Sequence, residues 1–145
     1  SETSQRGLSS IEAWVDESGL DNLRRPVVLD VLEPWPVGRA DVVVCINLIH
    51  ITPWACGQAL LAGAGALLPD HGLLYLYGPY KIDGAFTTPR NAEFDASLRA
   101  RDPRWGLRDV AAVAREAGTH GLELARTVSM PTNNLSLIFR RRRQP

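Results

Sequence analysis

The residues with chemistry to offer crowd into one short stretch, Asn47-Leu-Ile-His-Ile-Thr-Pro-Trp54. Asn47 brings an amide that both donates and accepts hydrogen bonds, which suits a cofactor or a substrate. The bland alternative is an asparagine satisfying loop backbone. His50 changes charge near neutral pH and has the chemistry of a general base; the alternative is a structural histidine. Tyr80, in Gly78-Pro-Tyr-Lys81, is the second candidate for a catalytic role. Tyr80 and Trp54 together form the wall of an apolar substrate pocket, or else pack in the core. Asn91 and Asn134 sit on loops expected to converge over the same edge, and are candidates for holding a substrate. No serine or cysteine stands in a nucleophile elbow. The three histidines, His50, His71 and His120, are too scattered for a metal site.

These residues need a scaffold, and the chain around them supplies one. Val42 to Ile46 is an unbroken apolar run rich in β-branched residues, which reads as a strand covered on both faces. Pro53 then opens a long apolar helix to Leu68, and its glycines let it lie close to a sheet. Leu73–Tyr77 is the next strand. Upstream, the spacing of Ile11, Trp14 and Val15 predicts a helix over Ser9–Glu17, and Pro26–Val31 reads as a short buried strand ending near Asp30. Downstream, Asp83–Arg90 reads as a loop, Asn91–Arg101 and Asp109–Ala117 as helices, and Leu122–Met130 and Leu135–Arg142 as strands. The short link Pro131-Thr-Asn-Asn134 joins those last two as an antiparallel hairpin. Alternating strands and helices imply an α/β fold with a mostly parallel sheet and helices on both faces. In such sheets ligands bind at the carboxyl ends of the strands, which is where Asn47 and Tyr80 fall.

The totals narrow the function. The 145 residues are the size of one domain, and 45% apolar with 22% charged is a globular composition, which argues against disorder. Lys+Arg and Asp+Glu are both 16, so no global field attracts nucleic acid. The run Arg140–Arg143 reads as a solvated strand end rather than an RNA- or membrane-binding tail. Cys45 and Cys56 fit neither a metal spacing nor a disulfide framework, and read as reduced thiols in a cytoplasmic protein. No stretch is long and apolar enough for a membrane span.

Four stretches in order carry a resemblance: Ile46-Asn-Leu-Ile-His-Ile-Thr-Pro-Trp54, Gly72-Leu-Leu-Tyr-Leu-Tyr-Gly-Pro-Tyr80, Asn91-Ala-Glu-Phe-Asp-Ala-Ser-Leu-Arg-Ala-Arg-Asp-Pro-Arg-Trp-Gly106 and Met130-Pro-Thr-Asn-Asn-Leu-Ser-Leu-Ile-Phe139. Together they resemble the methyltransferase-like protein 26 family over nearly the whole chain. The resemblance implies a Rossmann-like class I methyltransferase fold that uses S-adenosylmethionine on an acceptor not established for that family. It also implies roles. Glu2 matches the acidic residue that accepts hydrogen bonds from the ribose hydroxyls, or is a frayed terminal glutamate. Asp30 faces the adenine amine, or caps a turn. Asn47 lies where the transferred methyl group sits.

One departure is large. Members of this fold begin with a strand and a glycine-rich turn that holds the methionine part of the cofactor, and no Gly-x-Gly pattern precedes Asp30. The expectation is a single methyltransferase-like domain over residues 1–145, incomplete at its N-terminus, with its first strands missing. Such a sheet has open edges that invite homo-oligomers or strand exchange. On this reading the protein is a methyltransferase for a small-molecule or unidentified acceptor, with no nucleic-acid or membrane partner. The alternative is a non-catalytic binding module that lacks the cofactor turn. Without the backbone groups of that turn, Ser1–Pro145 alone is expected to bind S-adenosylmethionine about a hundredfold more weakly than a chain that has it.

Overall fold

The computed structural model describes residues 3–143. They fall into two compact units, Ser1–Gly38 and Arg39–Pro145.

In the first unit, helix α1 runs over Gln5–Ser18. It starts a turn earlier than the apolar spacing predicts because Ser4 caps it, its hydroxyl accepting from the Gly7 N–H at 3.1 Å. Gly19, at φ 61°, closes it in the left-handed conformation. The strand expected over Pro26–Val31 does not form. Val28 makes a lone bridge, and Val27 and Val28 are 39% and 61% exposed rather than buried. Proline has no N–H for a ladder, and a valine pair with no partner strand among the described residues has little to hold it extended. Asp30 closes a turn instead, its Oδ1 accepting from the Leu32 N–H at 3.0 Å.

The second unit carries the sheet. Strands β1 (Val42–Ile46) and β2 (Leu73–Gly78) are parallel, linked by a tight helical turn at Leu48–His50 and helix α2 (Trp54–Leu67). Then come the small hairpin β3 (Lys81–Ile82) and β4 (Ala85–Phe86), helices α3 (Pro89–Arg101) and α4 (Val110–Thr119), and the strands β5 (Leu122–Met130) and β6 (Asn134–Arg141). The spatial order is β1-β2-β6-β5, with β6 antiparallel to both neighbours. Three strands therefore point one way and β6 is inserted against them, as the closing hairpin predicts.

One face of this sheet is core. Leu74, Leu76, Leu137 and Phe139 are at most 1% exposed. Helix α2 packs on α4, and α4 on β5. Gly65 makes the first contact close: a Cβ there would collide with the His120 carbonyl oxygen. The other face is open along β1, where Val42, Val44 and Ile46 are 52%, 60% and 59% exposed. This corrects the reading of β1 as covered on both faces. An all-apolar run hides the alternation of a strand, because every second residue points outward whatever its type. Among the described residues β1 pairs with β2 alone, so it is an edge strand.

The segment read as a loop after Ile82 begins with a hairpin turn, Asp83-Gly84 at φ 51° and 78°. Two left-handed residues match the twist of the flanking strands. Asp109 fastens it, Oδ2 accepting from the Gly84 N–H at 2.7 Å, while Oδ1 caps α4 through Ala111 and Ala112.

Candidate functional site

The carboxyl ends of β1 and β2 meet the start of β6, since Gly78 pairs with Leu135. That places Asn47, Pro79 and Asn134 at one edge. Helix α3 is brought to the same edge by its own N-terminal turn. Asn91, 4% exposed, donates through Nδ2 to Thr87 Oγ1 at 2.9 Å and to the Asn133 carbonyl at 3.2 Å. Together they enclose a cleft of about 230 Å³ lined by Asn47, Pro79, Arg90, Asn91, Phe94, Thr132 and Asn134. Three of the residues expected at the site, Asn47, Asn91 and Asn134, thus converge. The lining carries one cation, Arg90, and no carboxylate.

The backbone around the cleft is strained in a particular way. Asn47, Thr132 and Asn133 have φ of 61°, 60° and 61°. Asparagine tolerates that region, but a β-branched threonine does not do so readily. Such conformations cost of order 1–3 kcal/mol each and persist where the surroundings over-determine them, often at ligand sites. Asn47 is held by its N–H to the Tyr77 carbonyl at 2.9 Å and by its own carbonyl, which accepts from the His50 N–H at 3.0 Å. Its side-chain amide makes no hydrogen bond among the described residues and is left for the cleft.

His50 and Tyr80 lie together but outside the cleft lining. They are 1% and 0% exposed, with ring centroids 4.7 Å apart at 77°, edge to face. His50 Nδ1 accepts a long bond of 3.4 Å from the Arg108 N–H. His50 Nε2 and the Tyr80 hydroxyl are buried with no hydrogen-bond partner among the described residues. Burial, with the nearby Arg108 guanidinium adding to it, pushes the His50 pKa down to about 3. Burial likewise pushes the Tyr80 hydroxyl far above its ordinary value. Both rings are therefore neutral at pH 7.

Gly78 is the hinge between this pair and the cleft. A Cβ on Gly78 would come within 2.6 Å of His50 Nε2 and 3.1 Å of Asn47 Oδ1. Only the missing side chain lets both groups close over the end of β2. Arg108 locks the loop above, its Nε donating to the Ile49 carbonyl and its Nη2 to those of Thr52 and Arg104, all at 2.9 Å. Asp95 supports the chain behind: Oδ1 accepts from the Leu107 N–H and Oδ2 from Arg99 Nε, both at 2.7 Å. Burial raises its carboxyl pKa, but these bonds outweigh that and hold it below the usual range.

The remaining expected residues lie elsewhere. Trp54 lines a separate hollow with Ala112, Arg115, Glu116 and Thr119, its ring 5.6 Å from the Arg108 guanidinium. Asp30 belongs to the first unit and caps its turn. Glu2 lies outside the described residues. Sequence reasoning missed Arg90, Thr132, Gly78 and Arg108. Only the Asn-Asn pair beside Thr132, a left-handed signal, pointed toward one of them.

A family described as protein of unknown function (DUF938) matches residues 1–141. The chain belongs to this family. Among solved structures it is similar to an O-methyltransferase family protein from Burkholderia thailandensis, with TM-score 0.79 and 17% identity over 94% of this chain and 41% of that one. The S-adenosylmethionine-dependent methyltransferase SibL gives TM-score 0.79 and 18% identity, over 99% of this chain and 43% of SibL. OxaC, solved with sinefungin and meleagrin, gives 0.76 and 19%, over 98% and 35%. At these identities the likeness establishes the Rossmann-like methyltransferase fold. The DUF938 chain spans about two fifths of the length of the first two and about a third of OxaC. No helix among the described residues is long and apolar enough to cross a membrane.

Proposed function

We propose that this DUF938 chain forms the acceptor side of an S-adenosylmethionine-dependent methyltransferase, acting on a small molecule in the cytoplasm. The observation that carries it is the convergence of Asn47, Asn91 and Asn134 on one cleft at the carboxyl ends of β1 and β2. The methyltransferase fold and the resemblance to the methyltransferase-like protein 26 family support it. The free thiols of Cys45 and Cys56 fit a reducing compartment.

The residues present fit the reacting end of that cofactor. The Asn47 amide is exposed and has no hydrogen-bond partner among the described residues, with a donor and an acceptor to offer. When bound, S-adenosylmethionine would supply an activated methyl group for an acceptor heteroatom, leaving S-adenosylhomocysteine, with the acceptor's proton going to bulk water. The protein's share is alignment and exclusion of water. Asn47 orients, and Asn91 and Asn134 position the acceptor. The neutral His50–Tyr80 pair supports the end of β2 from behind rather than exchanging protons. The open edge of β1 fits a further strand, from a second copy or from elsewhere in a longer chain.

Calorimetric titration of S-adenosylmethionine into the protein and its Asn47→Ala variant tests this. Saturable binding is expected, weakened about tenfold in the variant, with the circular dichroism unchanged. No binding at millimolar cofactor would overturn the methyltransferase reading, and equal affinities would remove Asn47 from the site.

A further inference from the structure

The hydrogen-bonding groups of the cleft can be counted, and the count describes an acceptor. Asn91 is 4% exposed and lines the cleft. Its two amide hydrogens are spent on Thr87 and on the Asn133 carbonyl. A carbonyl only accepts, so Asn133 fixes which way the Asn91 amide faces. What Asn91 has left is its Oδ1, without a partner among the described residues. Asn134 gives its Nδ2 to the Pro131 carbonyl at 3.3 Å, and its Oδ1 is likewise left over. Buried and half-buried acceptors of this kind ask a ligand for a hydroxyl or an N–H.

Arg90 asks for the opposite. It is the sole charge in the lining, it stands in the first turn of α3, and it has no ion pair among the described residues. A planar guanidinium pairs with a carboxylate through two parallel bonds. The helix N-terminus adds its positive end on the same side. Phe94 and Pro79, in the same lining, add an apolar surface that suits a flat ring. At about 230 Å³ the cleft falls below the ~300–1,000 Å³ typical of drug-sized ligands, so it takes one ring rather than a polymer segment.

We propose that the cleft binds a small hydroxy- or amino-substituted aromatic carboxylate, with Arg90 on the carboxylate and Asn91 Oδ1 and Asn134 Oδ1 on the hydroxyl or amine. This rests on the methyltransferase reading for its meaning, since the group held by the asparagines would be the methyl acceptor. The binding itself does not depend on that reading.

The test is titration without cofactor, following the side-chain amide signals of Asn47, Asn91 and Asn134 by NMR. Para-hydroxybenzoate is the probe, beside para-hydroxybenzamide, benzoate and phenyl phosphate. The acid should bind about tenfold tighter than its amide and about threefold or more tighter than benzoate, and phenyl phosphate should bind no better than benzoate. Arg90→Gln should equalise acid and amide; Arg90 is exposed and has no ion pair among the described residues, so the fold, checked by circular dichroism, stays intact. An acid preference that survives Arg90→Gln would overturn the proposal. So would equal binding of acid and amide, benzoate binding as well as the hydroxy acid, tighter phosphate binding, or no response to any probe. Cofactor titrated into the same samples separates the two readings. Failure there, with the acid preference kept, sinks the methyltransferase reading alone.

Discussion

Lowering the pH should destabilise this protein through His50, and the loss should begin before its carboxylates matter. The buried imidazole has a pKa of about 3, against an ordinary value of 6.5. In the unfolded chain it takes a proton below about pH 6.5, while in the folded chain it stays neutral until about pH 3. Between those limits the unfolded state binds more protons, so stability rises with pH and is lost as pH falls from 6.5. Integrating from pH 7 to pH 5 gives a loss of about 2 kcal/mol, and the full span approaches about 5 kcal/mol at 1.36 kcal/mol per unit. Two kcal/mol is a large part of a ~5–15 kcal/mol stability. With a urea slope of ~1–3 kcal/mol per molar, the midpoint should fall by about 1 M. Asp95, whose carboxyl is held below the usual range, contributes stability that is lost only as pH falls below about 4. The window from pH 5 to pH 7 therefore isolates His50 from Asp95. Urea denaturation at pH 7, 6 and 5, followed by circular dichroism, should show the slope in the wild type. In His50→Phe, which keeps a ring without a proton site, the dependence should be much flatter. A wild-type midpoint that holds from pH 7 to pH 5, or an equal slope in the variant, would refute the argument from burial.

Other outcomes follow from single contacts. Gly78→Ala forces a Cβ to within 2.6 Å of His50 Nε2, and overpacking of this kind costs about 1–3 kcal/mol; thermal melting should show it, with the Asn47 amide signal displaced. Asn91→Ala removes the tether from α3 to the β5–β6 turn and should cost about 1 kcal/mol, with faster amide exchange at Asn134. Val44, 60% exposed on the edge strand, is expected to drive self-association; Val44→Lys should lower the apparent mass in sedimentation at high concentration, and an unchanged mass would show that the edge is not the contact.

Much of the architecture was legible because it rests on local rules. Asp109 caps α4 and the Pro131–Asn134 link turns a hairpin, and such signals survive without knowledge of tertiary packing. The hairpin at Asp83-Gly84 reads only as a loop, because two-residue strands leave no alternation to reveal them. The first unit misled because Val27-Val28 has strand propensity but no ladder among the described residues. In the site, Asn47 stands out because it ends an apolar run, whereas Asn91 and Asn134 are placed by the expectation that their loops converge over the same sheet edge. Arg90 does not stand out, since an arginine at the end of a loop reads as solvated surface until the fold brings it to a cleft with Asn91 and Phe94. The importance of Gly78 is invisible for another reason: it depends on His50, far away in sequence, filling the space of a side chain.

The placement of His50 bears on what kind of chemistry the proposed site could support. A proton-transferring base must reach its proton and hold a pKa near the working pH; His50 does neither, being sealed behind Gly78 and far too weak a base. Tyr80 is sealed in the same way. What the cleft exposes instead is amides, one guanidinium and an apolar wall, groups that bind and orient but do not titrate near neutrality. That inventory suits a reaction whose reactant is already activated, so that alignment supplies most of the acceleration. It is poorly suited to hydrolysis or to proton abstraction from carbon, both of which need a base in contact with the substrate. The strain at Asn47 and Thr132 has the same sense. It fixes the backbone on both sides of the cleft at the expense of stability, and rigid placement is what an alignment-driven transfer requires.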